Sequence, residues 1–199
     1  DYYGRWKALH YAARRFYSPI LLSVEESGTS ARIHVTNDTT RQARIEVKWS
    51  LETVDGSVLR RSKVKTRIEP EENRLIADLD FAEELAGDAI RKVFLVCDLF
   101  VNGKPAGASM TSFVPPKHFE LEPVKICVEP GRDDSGAYVT VTADKAARWV
   151  ALGIPKRDVV FSDNFFDLPA GRTVTVRVEG EIDDSALAKI RAYSLVDSY

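Results

Sequence analysis

ARIEVKWSLE, residues 43–52, alternates without a break. Ala43, Ile45, Val47, Trp49 and Leu51 are apolar, while Arg44, Glu46, Lys48, Ser50 and Glu52 are polar. Successive side chains of a strand point to opposite faces, so the segment predicts a β-strand with one buried and one wet face. The pattern continues on both sides of it. Upstream, strands are predicted at 20–25 and 31–36, separated by Ser27-Gly28 and followed by an Asn37-Asp38-Thr39 turn. Downstream, Asp55-Gly56 signals a hairpin into 58–68, and Leu75, Ala77 and Leu79 alternate after a turn at 70–73. Residues 93–101 are apolar on both faces, which predicts a central strand, and Asn102-Gly103 turns it into 106–114.

Pro115-Pro116 is the best internal boundary, because two prolines stiffen a connection and cannot donate to a ladder. Beyond it the pattern restarts, with strands predicted at 124–129, 137–143, 148–154, 159–162, 172–180 and 192–196, and a helical turn within 184–190. The halves echo one another. ARIHVTNDTTRQARIEVKW and AYVTVTADKAARWVALGI each read as strand, Asp-containing turn and strand bearing a tryptophan. Trp49 and Trp149 are thus expected in sandwich cores. The fold class is all-β: two tandem immunoglobulin-like β-sandwiches, 18–116 and 117–199.

DYYGRWKALHYAARRFY, residues 1–17, reads as a helix. Trp6, Leu9, Ala13 and Phe16 share one helical stripe, while Arg5, Lys7, Arg14 and Arg15 lie away from it, and Ser18-Pro19 ends it. It has no capping residue with room ahead of it, and the chain has no initiator Met and no signal-peptide pattern. The helix is expected to be the last piece of a domain cut away, rather than an element folded back on the first sandwich. Its stripe then lacks a partner and favours self-association through 1–17. Its removal is expected to leave the melting of the sandwiches nearly unchanged.

The chemistry-bearing residues are sparse. The chain of 199 residues is 44% hydrophobic and 29% charged, with 28 basic and 30 acidic side chains spread throughout. That suits a folded protein and gives no electrostatic footprint for nucleic acid. Arg60, Arg61, Lys63, Lys65 and Arg67 read as the wet face of one strand, and no apolar run approaches the roughly 20 residues of a membrane span. Cys97 is expected in a core and Cys127 on a polar face of another domain, so the two do not bridge, which points to a reducing compartment. His10, His34 and His118 have no metal-ligand spacing. Asp133-Asp134 and Asp183-Asp184 read as turns rather than calcium loops, and the sequon at Asn37 as a turn. No nucleophile, zinc, nucleotide or phosphate motif is present, and the acids fall on wet faces and turns, so no catalytic, cofactor-binding or metal residue is assigned. Phe165-Phe166, then Trp149 and Phe161, are candidate sugar-stacking aromatics, with core packing as the default for each.

Two segments carry a resemblance. DYYGRWKALHYAARRFYSP resembles the end of the catalytic barrel of β-mannosidases of glycoside hydrolase family 2, where it joins the domains that follow. FSDNFFDLPAGRTVTVRVEG, with the closing YSLVDSY, resembles their C-terminal immunoglobulin-like domain. The resemblance implies the accessory domains of a retaining exo-β-mannosidase that removes terminal β-linked mannose. It further implies that both catalytic glutamates lie upstream of residue 1, that 1–17 is the (β/α)8 barrel's last helix, and that the barrel is this chain's principal partner. No cofactor is implied. The reading from another class is a stand-alone tandem-sandwich carbohydrate-binding or adhesion module.

Overall fold

The computed structural model describes residues 6–198, in two compact units. One is Arg15–Leu121; the other joins residues through Arg14 to Glu122–Tyr199.

In the first unit, β1 (Ile20–Ser27), β2 (Ser30–Asn37) and β5 (Glu72–Asp80) form one antiparallel sheet in the order β1-β2-β5. β3 (Ala43–Thr53), β4 (Val58–Ile68), β6 (Val93–Val101) and β7 (Lys104–Ser112) form the other, in the order β4-β3-β6-β7. The alternation over residues 43–52 feeds the core through β3: Ile45, Val47, Trp49 and Leu51 enter it with Ile33, Val35, Ile68 and Leu99. Trp49 meets Phe81 edge-on at 5.9 Å, and Phe81 meets Phe113 at 5.8 Å. The Arg60 guanidinium lies 5.4 Å from the centroid of the Phe81 ring and covers the margin of this aromatic group. β6 is central, as its two apolar faces require: Phe94 and Val96 are buried on the face opposite Leu95 and Cys97, and Phe119 stacks on Phe94 at 4.1 Å. Asn102 and Gly103 both have positive φ, 50° and 81°, the backbone a two-residue hairpin needs to match strand twist. β4 is an edge strand, and its cations keep that edge from pairing with another chain.

In the second unit, β8 (Ile126–Asp133), β9 (Gly136–Ala143) and β12 (Thr173–Arg177) make the sheet β12-β9-β8, and β10 (Ala147–Gly153), β11 (Phe166–Leu168) and β13 (Arg191–Tyr193) make β11-β10-β13. The internal echo is thereby explained. In each half the first echoed strand (β2, β9) is the middle strand of a three-stranded sheet, and the second (β3, β10) crosses to the opposing sheet. Val139, Val141, Val150, Phe161, Leu168 and Val176 fill the core between them. Asp183 caps the short helix α2 (Asp184–Leu187), its carboxylate accepting from the Ala186 N–H at 2.8 Å.

Three expectations are corrected here. The helix α1 spans Ala8–Phe16, and the part of the expected helix before Trp6 lies outside the described residues. Its buried residue is Tyr11, whereas Trp6, Leu9 and Phe16 of the apolar stripe are exposed. A tyrosine buries an apolar body while its hydroxyl serves a polar partner, so a count of purely apolar residues misses it. The expected strand at 159–162 is reduced to one bridge, Phe161 to Val178, because α1 takes up part of its backbone: Tyr11 Oη accepts from the Phe161 N–H at 3.3 Å, and Arg14 Nη1 donates to the Ser162 carbonyl at 3.2 Å. The expected strand at 192–196 ends at Tyr193, and Leu195–Ser198 is a 3-10 turn in which Asp197 accepts from Ser194.

Candidate functional site

The paired aspartates are structural. Asp133 closes the β8–β9 turn by accepting from the Ser135 N–H at 2.9 Å, and both its oxygens meet the Arg177 guanidinium at 2.6 Å. Arg177 in turn lies 5.1 Å from the Tyr138 ring centroid, and that ring covers Gly131, where a Cβ would come within 2.5 Å of it. The hydrogen bonds from Arg177 hold the Asp133 carboxyl below the usual carboxylate range, and Asp133 raises Arg177 in return. Asp183 is lowered by the Ala186 N–H at the helix cap and then by Arg157, Glu72 by Arg74, and Asp55 by the Thr53 hydroxyl. Each of these four acids is therefore held as an anion, the opposite of what a glycosidase requires of its proton donor.

Asn37 is fully buried. Its amide nitrogen donates to the Arg41 and Glu69 carbonyls, both at 2.9 Å, and its oxygen accepts from the Thr39 N–H at 3.1 Å and the Thr39 hydroxyl at 2.7 Å. Both amide hydrogens are consumed, so the sequon is a turn lock with no accessible acceptor nitrogen. Asn164 plays a similar part in the second unit. From the end of a loop it donates to the Leu152 carbonyl at 3.0 Å and accepts from the Leu152 and Phe165 N–H groups at 2.7 and 2.9 Å, standing in for a strand neighbour along β10.

His10 is exposed and meets the Trp6 ring at 4.0 Å, tilted by 47°, His34 faces Asn73 at 3.1 Å, and His118 lies exposed after Pro115-Pro116. Among the described residues no cluster of three His, Cys, Asp or Glu could hold a metal ion, and no helix is long and apolar enough to cross a membrane. Cys97 is buried, Cys127 is exposed, and neither is in a disulfide. Lys65 and Arg67 of β4 share a shallow cleft of about 540 Å³ with Arg44, Glu46 and Asn102, in which Lys65 pairs with Glu46 at 3.2 Å.

The stacking candidates divide sharply. Phe161 and Phe166 are in the core, and Phe165 is half-buried with its ring 6.0 Å from Tyr11. Trp149, expected in the core by analogy with Trp49, is instead 45% exposed. The cause is a bulge in β10, where Ala147 pairs Leu168 and Val150 pairs Phe166, so three steps along one strand face two along the other. Trp149 takes up the excess with φ of +51°, a left-handed conformation that costs a bulky residue about 1–3 kcal/mol. Asp167 fixes it, accepting from the Trp149 N–H at 3.0 Å and pairing with Arg148 at 3.2 Å. Alternation implies an even strand here, so the sequence alone does not announce the bulge.

Residues 29–118 match the mannosidase Ig/CBM-like domain, and residues 121–198 match the Ig-fold domain of mannosidases. No curated protein sequence matches the chain. Among solved structures, the β-D-mannosidase of Dictyoglomus thermophilum is similar over 98% of this chain and 24% of its own, at 17% identity and a TM-score of 0.85. The exo-chitosanase CsxA of Amycolatopsis orientalis is similar over 93% of this chain and 26% of its own, at 13% identity and a TM-score of 0.58. At those identities the likeness is one of fold, and the chain spans about a quarter of the length of each enzyme. With the two matches in tandem, the chain belongs to the immunoglobulin-like domain families of mannosidases.

Proposed function

We propose that this chain is the non-catalytic accessory region of a retaining exo-β-mannosidase acting on terminal β-linked mannose. Its domains are then 18–116 and 117–199, and residues 1–17 are the closing helix of the catalytic barrel. The observation that carries the reading is the order of the two mannosidase-type domains, 29–118 followed by 121–198. α1 supports the helix assignment: it is anchored through Tyr11, while Leu9 is 73% exposed and Phe16 48% exposed, a second apolar face suited to the outer strands of a barrel. In the absence of a barrel the same face favours self-association.

The test is hydrolysis of an aryl β-mannoside. The polypeptide encoded by the complete reading frame should turn it over, and the 199-residue chain should not. Turnover by the chain alone, abolished by changing one of its own acids, overturns the non-catalytic assignment. Sedimentation of the chain with Leu9→Ser and Phe16→Ser tests self-association, which these changes should abolish.

A further inference from the structure

We propose that the outward face of the β11-β10-β13 sheet is a glycan-stacking platform built on Trp149 and Tyr193, taking a short run of β-linked hexopyranose units. Val150, Leu152 and Ala192 turn inward to the core, so Ala151 and its cross-strand partner Tyr193 turn outward together. Trp149 is the next exposed residue along β10. It lies two residues before Ala151, the cross-strand partner of Tyr193, and so stands diagonally to Tyr193. The rings are 45% and 54% exposed, and neither meets another aromatic ring among the described residues.

Three further features suit a sugar. The floor beside the rings is Ala151, level with Tyr193, and beyond it Gly153, level with Arg191, low enough for a pyranose ring to lie flat. Asp167 stands at one end and Arg191 at the other. Asp167, paired with Arg148, and Arg191 are polar groups within reach of sugar hydroxyls at the two ends. Finally, the indole is held out rather than left over. The bulge, the left-handed backbone and the Asp167 anchor fix it, and the Arg148 guanidinium lies 5.7 Å from its centroid. The C–H groups on the apolar face of a pyranose carry partial positive charge and complement the negative face of an aromatic ring. The choice of a mannose chain rests on the function proposed above; the platform itself does not.

The experiment is a titration of the full chain with mannohexaose, read by tryptophan fluorescence and by amide NMR shifts of residues 149–153 and 191–193. Saturable shifts confined to that face are expected, with a dissociation constant of about 1 mM. Trp149→Gly should weaken binding at least tenfold, and Tyr193→Ala several-fold. Because glycine tolerates positive φ, Trp149→Gly should melt at or above the parent temperature, so its loss of binding is not a loss of fold. Absence of shifts at about 10 mM sugar overturns the platform, as does binding that survives Trp149→Gly. A concentration-dependent dimer abolished by Trp149→Gly makes a second copy the occupant and also overturns it. Binding of cellohexaose in place of mannohexaose overturns the mannose assignment. Hydrolysis by the complete polypeptide reports on the mannosidase reading separately.

Discussion

The hydroxyl of Tyr11 accepts a hydrogen bond from the backbone N–H of Phe161, 150 residues further along the chain, and both residues are buried in one core. The helix, as far as Arg14, therefore packs with the second unit. Arg14, one turn further on, donates to the next carbonyl of the same segment.

Substitution at Tyr11 should destabilise the second unit. Tyr11→Phe leaves the Phe161 N–H without its acceptor and should cost about 1–2 kcal/mol. Tyr11→Ala also empties core volume and should cost about 3 kcal/mol or more. Urea unfolding followed separately by Trp49, in the first unit, and Trp149, in the second, should show the Trp149 transition moving alone. Deletion of residues 1–17 should act in the same direction, contrary to what the apolar stripe suggests.

Asn37→Ala should destabilise the first unit by about 2–3 kcal/mol. It leaves the Arg41 and Glu69 carbonyls and the Thr39 donors without their shared partner. Asn37→Asp should be nearly as costly, because a carboxylate oxygen would then face two carbonyls. Thermal denaturation of each variant checks this. Expression in a glycosylating host should leave residue 37 unmodified in the folded protein, as mass spectrometry would show.

Acid should weaken the second unit through Asp133. Its carboxyl titrates lower in the folded chain than in the unfolded one, so the unfolded state takes up the proton first. The contribution is complete above the unfolded value of about 4 and is lost as pH falls through the folded value. Asp133→Asn should therefore lower stability at neutral pH and flatten its loss as pH falls below the unfolded value of about 4. Raised salt should shrink the difference, because the pair with Arg177 is partly exposed.

The thiols should differ in reactivity. In the native protein a thiol reagent should label Cys127 quickly and leave Cys97 untouched, and denaturant should expose both. Rapid labelling of Cys97 in native buffer would show that the β3–β6 region opens readily.

Legibility in the sequence follows from how local the cause of each element is. β4 and β6 run over 58–68 and 93–101 as alternation and apolar continuity require, because in a sandwich the core itself imposes period two. β11 has three residues, too few for any period to show, and the bridge at Phe161 owes its form to a helix far away in sequence. The stacking site was legible only as a choice among aromatics. Phe165, Phe166, Phe161 and Trp149 are equivalent by composition, and a bulge fixed by Asp167 decides which of them meets solvent. Buried asparagines are the other blind spot. Asn37 and Asn164 look like loop residues because their partners are backbone groups, which every sequence has.

The Tyr11–Phe161 contact also sets an order of events during synthesis. Tyr11 leaves the ribosome long before its partner, and at 5–20 residues per second the interval is about 8–30 s. The first unit, continuous from Arg15 to Leu121, emerges whole within that interval and can fold on its own schedule. α1 meanwhile waits with the Tyr11 ring uncovered, because the core that buries it has not yet been made. A chaperone that recognises short aromatic stretches should therefore engage nascent chains halted near residue 121 and release them once residue 161 has emerged.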